Sequence, residues 1–282
     1  MAQVPNPITD SSISVFPSFL VFIKSFGIKK IRLDYDKAKQ EVRKQKLKMK
    51  NVLITGASRG IGLELARQEL AAGSNVFATC RSPEQAKGLV ILQELYPKQL
   101  SIWEMDVESE DSIQKLSDQL LREGYHIDLL YNNAGIIDWR TINEVDAASM
   151  EKVYKVNVVG ALLVLRNFRN LLSAGNGKMI INVSSRLGSI ALRGHSQLGG
   201  SIAYSASKAA LNMLTKQASI DFAEDEISVI SISPGWVRTD MGGPDAKYSV
   251  EESVERILHI VGKFTHEDSG KFFGENGEEL PW

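Results

Sequence analysis

Tyr204 and Lys208 stand four positions apart in Tyr204-Ser-Ala-Ser-Lys208, inside a stretch whose apolar periodicity predicts a helix over 203–223. Residues four apart on a helix share a face, so both side chains can act on one small volume. A tyrosine hydroxyl with its ordinary pKa near 10 exchanges protons poorly at neutral pH. An ammonium beside it favours the phenolate and brings the group toward general acid and base work. A second chemical feature is Thr55-Gly-Ala-Ser-Arg-Gly-Ile-Gly62, which joins the apolar run 51–55 to a predicted helix over 61–72. Gly56, Gly60 and Gly62 let the backbone turn tightly and approach a pyrophosphate, and Ser58, Arg59 and Ile61 belong to the same turn. The amino end of the helix then offers free N–H groups to the anion. Metal chemistry has no matching pattern. His126, His195, His259 and His266 lack ligand-like spacing and Cys80 stands alone, so no metal site and no intrachain disulfide is expected.

These groups need a frame. From Asn51 onward short β-rich apolar runs alternate with helical ones. Strands are predicted over 51–55, 75–79, 101–105, 127–131, 178–183 and 227–233, with a short last one near 270–273. Helices are predicted over 61–72, 109–122, 147–172, 203–223 and 250–261. Such alternation implies an α/β fold: a doubly wound, mostly parallel sheet of the Rossmann type with helices on both faces, three layers in all. The second strand ends Ala78-Thr-Cys-Arg81, with no acid to hold the ribose 2′-hydroxyl of NAD. Arg81 and Arg59 instead suit a 2′-phosphate, so the expected cofactor is NADP(H).

The chain has 282 residues, 33 basic and 34 acidic, but the near balance hides two segments. Residues 1–48 carry ten basic and four acidic side chains; residues 49–282 carry 23 and 30. The first segment reads as a basic extension, disordered or a targeting leader, and the second as one catalytic domain. The apolar stretch 15–23 is broken by Pro17 and closed by Lys24, too short to span a membrane. A nucleic-acid role would rest on the basic extension alone, because the rest is net negative, so no nucleic-acid partner is expected. The expected compartment is the cytoplasm, or an organelle if residues 1–48 are a transit segment.

With the further motifs Asp106-Val107, Asn132-Asn-Ala-Gly135 and Ser233-Pro-Gly-Trp-Val-Arg-Thr239, residues 49–282 resemble the short-chain dehydrogenase/reductase family. The stretch ending in Met241 and the terminal Gly-Glu-Glu-Leu-Pro-Trp282 resemble its C-factor and sniffer-type carbonyl reductase branch. The resemblance implies that Asp106 and Val107 meet the adenine, and that Asn133, Ala134 and Gly135 border its ribose. It places Pro234, Gly235, Val237 and Thr239 under the nicotinamide, and Lys208 and Tyr204 near its ribose. It makes Ser185 the hydroxyl that polarises a substrate carbonyl, Ser184 being its neighbour on the opposite strand face. Asn157 becomes the holder of a water that links Lys208 to solvent.

The implied reaction is hydride transfer from NADPH to the carbonyl of a small ketone, aldehyde or quinone, with Tyr204 as proton donor, and alcohol oxidation in reverse. An NAD-dependent alcohol dehydrogenase and a non-catalytic dinucleotide-binding regulator are the alternatives. The family also implies a homodimer or homotetramer packed through helices 147–172 and 203–223. Nineteen positions separate Ser185 from Tyr204, more than the family commonly has, and Arg186–Ile202 is expected to form a flexible wall of the substrate pocket. Residues 240–249 are expected to be part of a lid, and Trp236 to serve packing.

Overall fold

Alternation along each strand sorts its side chains onto two faces, and the first strand shows the result. In β1 (Asn51–Ile54), Val52 and Ile54 join one apolar cluster while Leu53 joins the other. The computed structural model describes residues 49–194 and 200–282, and every strand and helix among them belongs to the unit Lys50–Trp282. The basic extension 1–48 and His195 lie outside the described residues.

Six further strands complete the sheet: β2 (Asn75–Cys80), β3 (Leu100–Glu104), β4 (Leu129–Asn132), β5 (Met179–Val183), β6 (Ser228–Ile232) and β7 (Phe272–Phe273). Their order is β3-β2-β1-β4-β5-β6-β7, and every pairing is parallel. β1, β4 and β6 are buried along their whole length, as a sheet covered on both faces requires. On one face lie α1 (Gly60–Ala71), α2 (Lys87–Leu95) and α7 (Val250–Val261), which contribute Leu65, Leu89 and Ile257 to the first cluster. On the other lie α3 (Glu110–Arg122), α5 (Ala161–Ser173) and α6 (Ile202–Asp221), which contribute Ile113, Phe168 and Ala218 to the second. This is the expected three-layer, doubly wound Rossmann arrangement. The strand order reverses direction between β1 and β4, so a crevice opens at their carboxyl ends.

Two elements differ from the expectation. The helix expected over 147–172 is α4 (Ala147–Tyr154), a π-helical turn (Lys155–Gly160) and α5 in succession. Gly160 ends the widened turn where a Cβ would lie 2.6 Å from the Val107 carbonyl oxygen, so only glycine lets the helix lie this close. α2 has no counterpart among the expected helices. Only Leu89 and Leu92 of its nine residues are buried, and no side chain caps its start. Among the described residues no helix is long and apolar enough to cross a membrane.

Candidate active site

The glycine turn and the Asn-Ala-Gly turn interlock at the crevice. Gly56 has φ +66°, and a Cβ there would sit 2.9 Å from Ala134 Cα, so position 56 must be glycine on both counts. The backbone N–H groups of Asn133 and Ala134 each donate to Thr55 Oγ1 at 3.0 Å, and Asn133 Nδ2 donates to the Thr55 carbonyl at 2.9 Å. Gly60, with φ +56°, faces Thr239, whose Cγ2 would be 3.5 Å from a Cβ. Arg59 holds the N-cap position of α1 in extended backbone, lends no side-chain acceptor, and no acid stands in the first turn. The helix N–H groups beside half-buried Ser58 and Ile61 are therefore left for another anion, and the donor set fits a dinucleotide pyrophosphate.

The expected adenine and phosphate residues beyond this turn follow the carboxyl ends of β2 and β3. Arg81 is exposed at the end of β2. Arg59 is exposed too, but its Nη1 is paired with Asp240 Oδ2 at 2.7 Å. Asp106 accepts from the Glu108 N–H at 3.0 Å, and Val107 packs beneath Gly160. After β6, Gly235 (φ +79°) turns the chain against the Tyr248 ring, and the Pro234 carbonyl accepts from Ser253 Oγ at 2.7 Å. Buried Val237 bridges Tyr248, and Thr239 Oγ1 accepts from the Gly242 N–H at 3.0 Å. Trp236, expected to serve packing, lies outside the core. It is 54% exposed, and its Nε1 donates to the Gly242 carbonyl at 2.8 Å, closing the loop on itself.

The reacting side chains converge at the carboxyl ends of β4 and β5. Ser184 Oγ donates to Asn212 Oδ1 at 2.6 Å inside the protein, while Ser185, one step along, is near enough to the Tyr204 hydroxyl to lower its pKa. Lys208 Nζ donates to the Val183 carbonyl at 2.7 Å and lies 5.6 Å from the centre of the Tyr204 ring. Asn157, in the π turn, accepts from the Ile136 N–H at 2.8 Å and donates to the Ile136 carbonyl and to Ser207 Oγ, both at 2.9 Å. A Cβ on Gly135 would lie 3.3 Å from Asn157 Oδ1 and 3.6 Å from Lys208 Nζ, so both side chains close on that glycine.

The expectation that Lys208 draws the Tyr204 pKa down is not met by the chain's own groups. Burial pushes Tyr204 up to about 12, against the opposing effect of Ser185, and burial alone brings Lys208 down to about 8.

Sequence reasoning missed Arg186, whose partners lie far along the chain. Its Nε meets Glu275 at 2.9 Å and its Nη2 meets Glu278. The segment after Ser185, expected to be flexible, is anchored in its first half. Arg186–Gly188 forms a 3₁₀ turn, and buried Ser189 donates to the Pro281 carbonyl at 2.6 Å. Among the described residues no three His, Cys, Asp or Glu side chains are grouped to hold a metal ion.

The short chain dehydrogenase family model matches residues 50–248, which takes in the glycine turn, Tyr204 and Lys208. The chain belongs to the short-chain dehydrogenase/reductase family. It is thus an oxidoreductase by family, and its likeness to the C-factor and sniffer-type branch appears in individual relatives. The C-signal protein of Myxococcus xanthus is 38% identical over 157 residues, 55% of this chain and 93% of that protein. An NADPH-bound carbonyl reductase from chicken fatty liver superposes with a TM-score of 0.79 at 35% identity, over 83% of this chain and 99% of the other. The carbonyl reductase Sniffer of Drosophila melanogaster gives 0.76 at 33%, over 83% and 100%.

Proposed function

We propose that this short-chain dehydrogenase/reductase reduces the carbonyl of a small ketone, aldehyde or quinone to an alcohol with NADP(H), and catalyses the reverse oxidation. The observation that carries the reading is Tyr204 and Lys208 on one helix, Lys208 Nζ lying 5.6 Å from the centre of the Tyr204 ring, with Ser185 at the carboxyl end of β5 close enough to lower the Tyr204 pKa. The NADPH-bound and NADP-bound carbonyl reductases among its structural neighbours support the cofactor. Arg59 and Arg81 would hold the 2′-phosphate, the α1 turn the pyrophosphate, and Val237 and Thr239 the carboxamide. The bound cofactor supplies the hydride.

The remaining chemistry falls to the side chains. With its pKa pushed up to about 12, Tyr204 keeps its proton at neutral pH and is poised to give it to a carbonyl oxygen that becomes an alkoxide. Ser185 donates to the same oxygen and stabilises the charge that develops there. Lys208, brought down to about 8, is still mainly the ammonium at pH 7, and the Val183 carbonyl keeps it aimed near Tyr204. Asn157 stands beside Lys208 across Gly135, its amide fixed by Ile136, where it would steady the path by which protons return.

A spectrophotometric screen of NADPH and NADH consumption over ketones, aldehydes and quinones tests the reading. Turnover with NADPH is expected, and Tyr204→Phe is expected to lower kcat by about 10²–10⁴ with NADPH binding nearly unchanged. Turnover with NADH alone would overturn the cofactor choice, and a near-wild-type rate in Tyr204→Phe would overturn the mechanism. NADPH binding without turnover of any carbonyl would favour the regulatory alternative.

A further inference from the structure

We infer that Arg186 is a positioning residue for the active site, joining the terminal segment 274–282 to the turn that holds Ser185 and Lys208. The inference rests on the proposed carbonyl reduction. Its basis is a short turn bonded on two sides. Toward the site, Ser185 Oγ accepts from the Leu187 N–H at 3.2 Å, and the Ser185 carbonyl accepts from the Gly188 N–H at 2.8 Å. A Cβ on Gly188 would sit 2.7 Å from Lys208 Cβ, so the turn lies directly on the helix at the lysine. Away from the site, the Arg186 guanidinium bridges Glu275 and Glu278, two carboxylates that come after β7 in the chain.

The charge and burial of these groups favour a fixed geometry. Glu275 is buried, with 10% of its side chain exposed, and the Arg186 side chain is about one-third exposed, so the bridge is only partly screened by water. A planar guanidinium reaching two carboxylates fixes direction as well as distance, which a lysine cannot reproduce. Ser189 Oγ adds a neutral bond to the same segment through the Pro281 carbonyl. Without Arg186 the turn keeps its hydrogen bonds to Ser185 but loses the charged strut that sets where Ser185 stands. A displacement of about 1 Å at a reacting group costs up to about a hundredfold in rate.

The test compares Arg186→Ala, Arg186→Lys and the milder Glu278→Gln in the full chain, with wild type and Tyr204→Phe alongside. Rates are expressed per NADPH-binding site, and amide hydrogen exchange is measured in the peptide holding Leu187 and Gly188. For Arg186→Ala we expect kcat down by about tenfold to a hundredfold, NADPH affinity unchanged, and faster exchange confined to that peptide. Arg186→Lys should recover part of kcat, and Glu278→Gln should show the same split in smaller measure. If Arg186→Ala does not fold, Glu278→Gln alone decides, and a wild-type kcat in it overturns the inference. A rate loss that disappears when counted per binding site, or unchanged exchange at Leu187 and Gly188, also overturns it. Failure of wild type to reduce any carbonyl would instead overturn the proposed function on which the inference rests.

Discussion

Lys208 is enclosed by protein, and its Nζ finds the Val183 carbonyl at 2.7 Å. The folded-state pKa, brought down to about 8 by burial, lies below the ordinary lysine value of 10.5. Below pH 8 both folded and unfolded chains hold the proton, so the cost of burying the cation is present in full. Between 8 and 10.5 the unfolded chain still binds the proton that the folded chain has lost, and stability rises with pH. Lys208→Met removes a cost of about 3 kcal/mol and leaves the Val183 carbonyl unpaired, which costs about 1–2 kcal/mol. The variant should be less active yet about 1–2 kcal/mol more stable at pH 7, with the gain fading toward pH 10.5. Denaturant unfolding of both proteins at pH 7 and pH 10 measures it. A Lys208→Met protein that is less stable at pH 7 would show that the lysine is not a buried charge in solution.

Between elements, the glycine turn and the loop after β6 meet through Arg59 and Asp240, whose side chains are 77% and 81% exposed. An ion pair so open to water contributes little to the fold, about 0–1 kcal/mol. It does occupy the guanidinium that the proposed 2′-phosphate needs. Asp240→Asn should therefore tighten NADPH binding by about two- to fivefold and leave NADH binding unchanged, the gain shrinking at high salt. Fluorescence titration at two ionic strengths reads it, and equal gains for both cofactors would place Arg59 away from the phosphate. Pairings of this kind separate what the sequence reveals from what it conceals. The strands are legible because buried parallel strands are continuous apolar runs, and Tyr204, Lys208 and the glycine turn because their chemistry depends on local spacing. Asp240 lies 181 positions from Arg59, and Glu275 lies 89 from Arg186; no local pattern ties such partners. The π turn at Asn157 is equally hidden, since it lies between two stretches that each keep a helical periodicity of their own.

At the scale of the whole molecule, the covered sheet leaves apolar side chains exposed on helices that do not need them for the core. Val159 in the π turn and Leu162 in α5 are 45% and 44% exposed, and Met213 and Ile220 on α6 are 68% and 61% exposed. Met213 and Ile220 are seven residues apart and share a face, as do Val159 and Leu162 three apart. α6 packs along the π turn, so the two pairs belong to neighbouring segments. Large apolar side chains standing out on adjacent helices suit a self-complementary contact, in which each copy covers the other about a two-fold axis. The chain is expected to form a homodimer, or a tetramer built from it, through this surface. Light scattering on the eluting protein should give at least twice the 31.2 kDa chain mass. The double variant Leu162→Glu, Met213→Glu should elute as a monomer, because burying two glutamates per copy in the contact carries a large desolvation cost. A wild-type protein that stays monomeric at micromolar concentration would overturn the expectation. A double variant that stays dimeric would move the interface to another face.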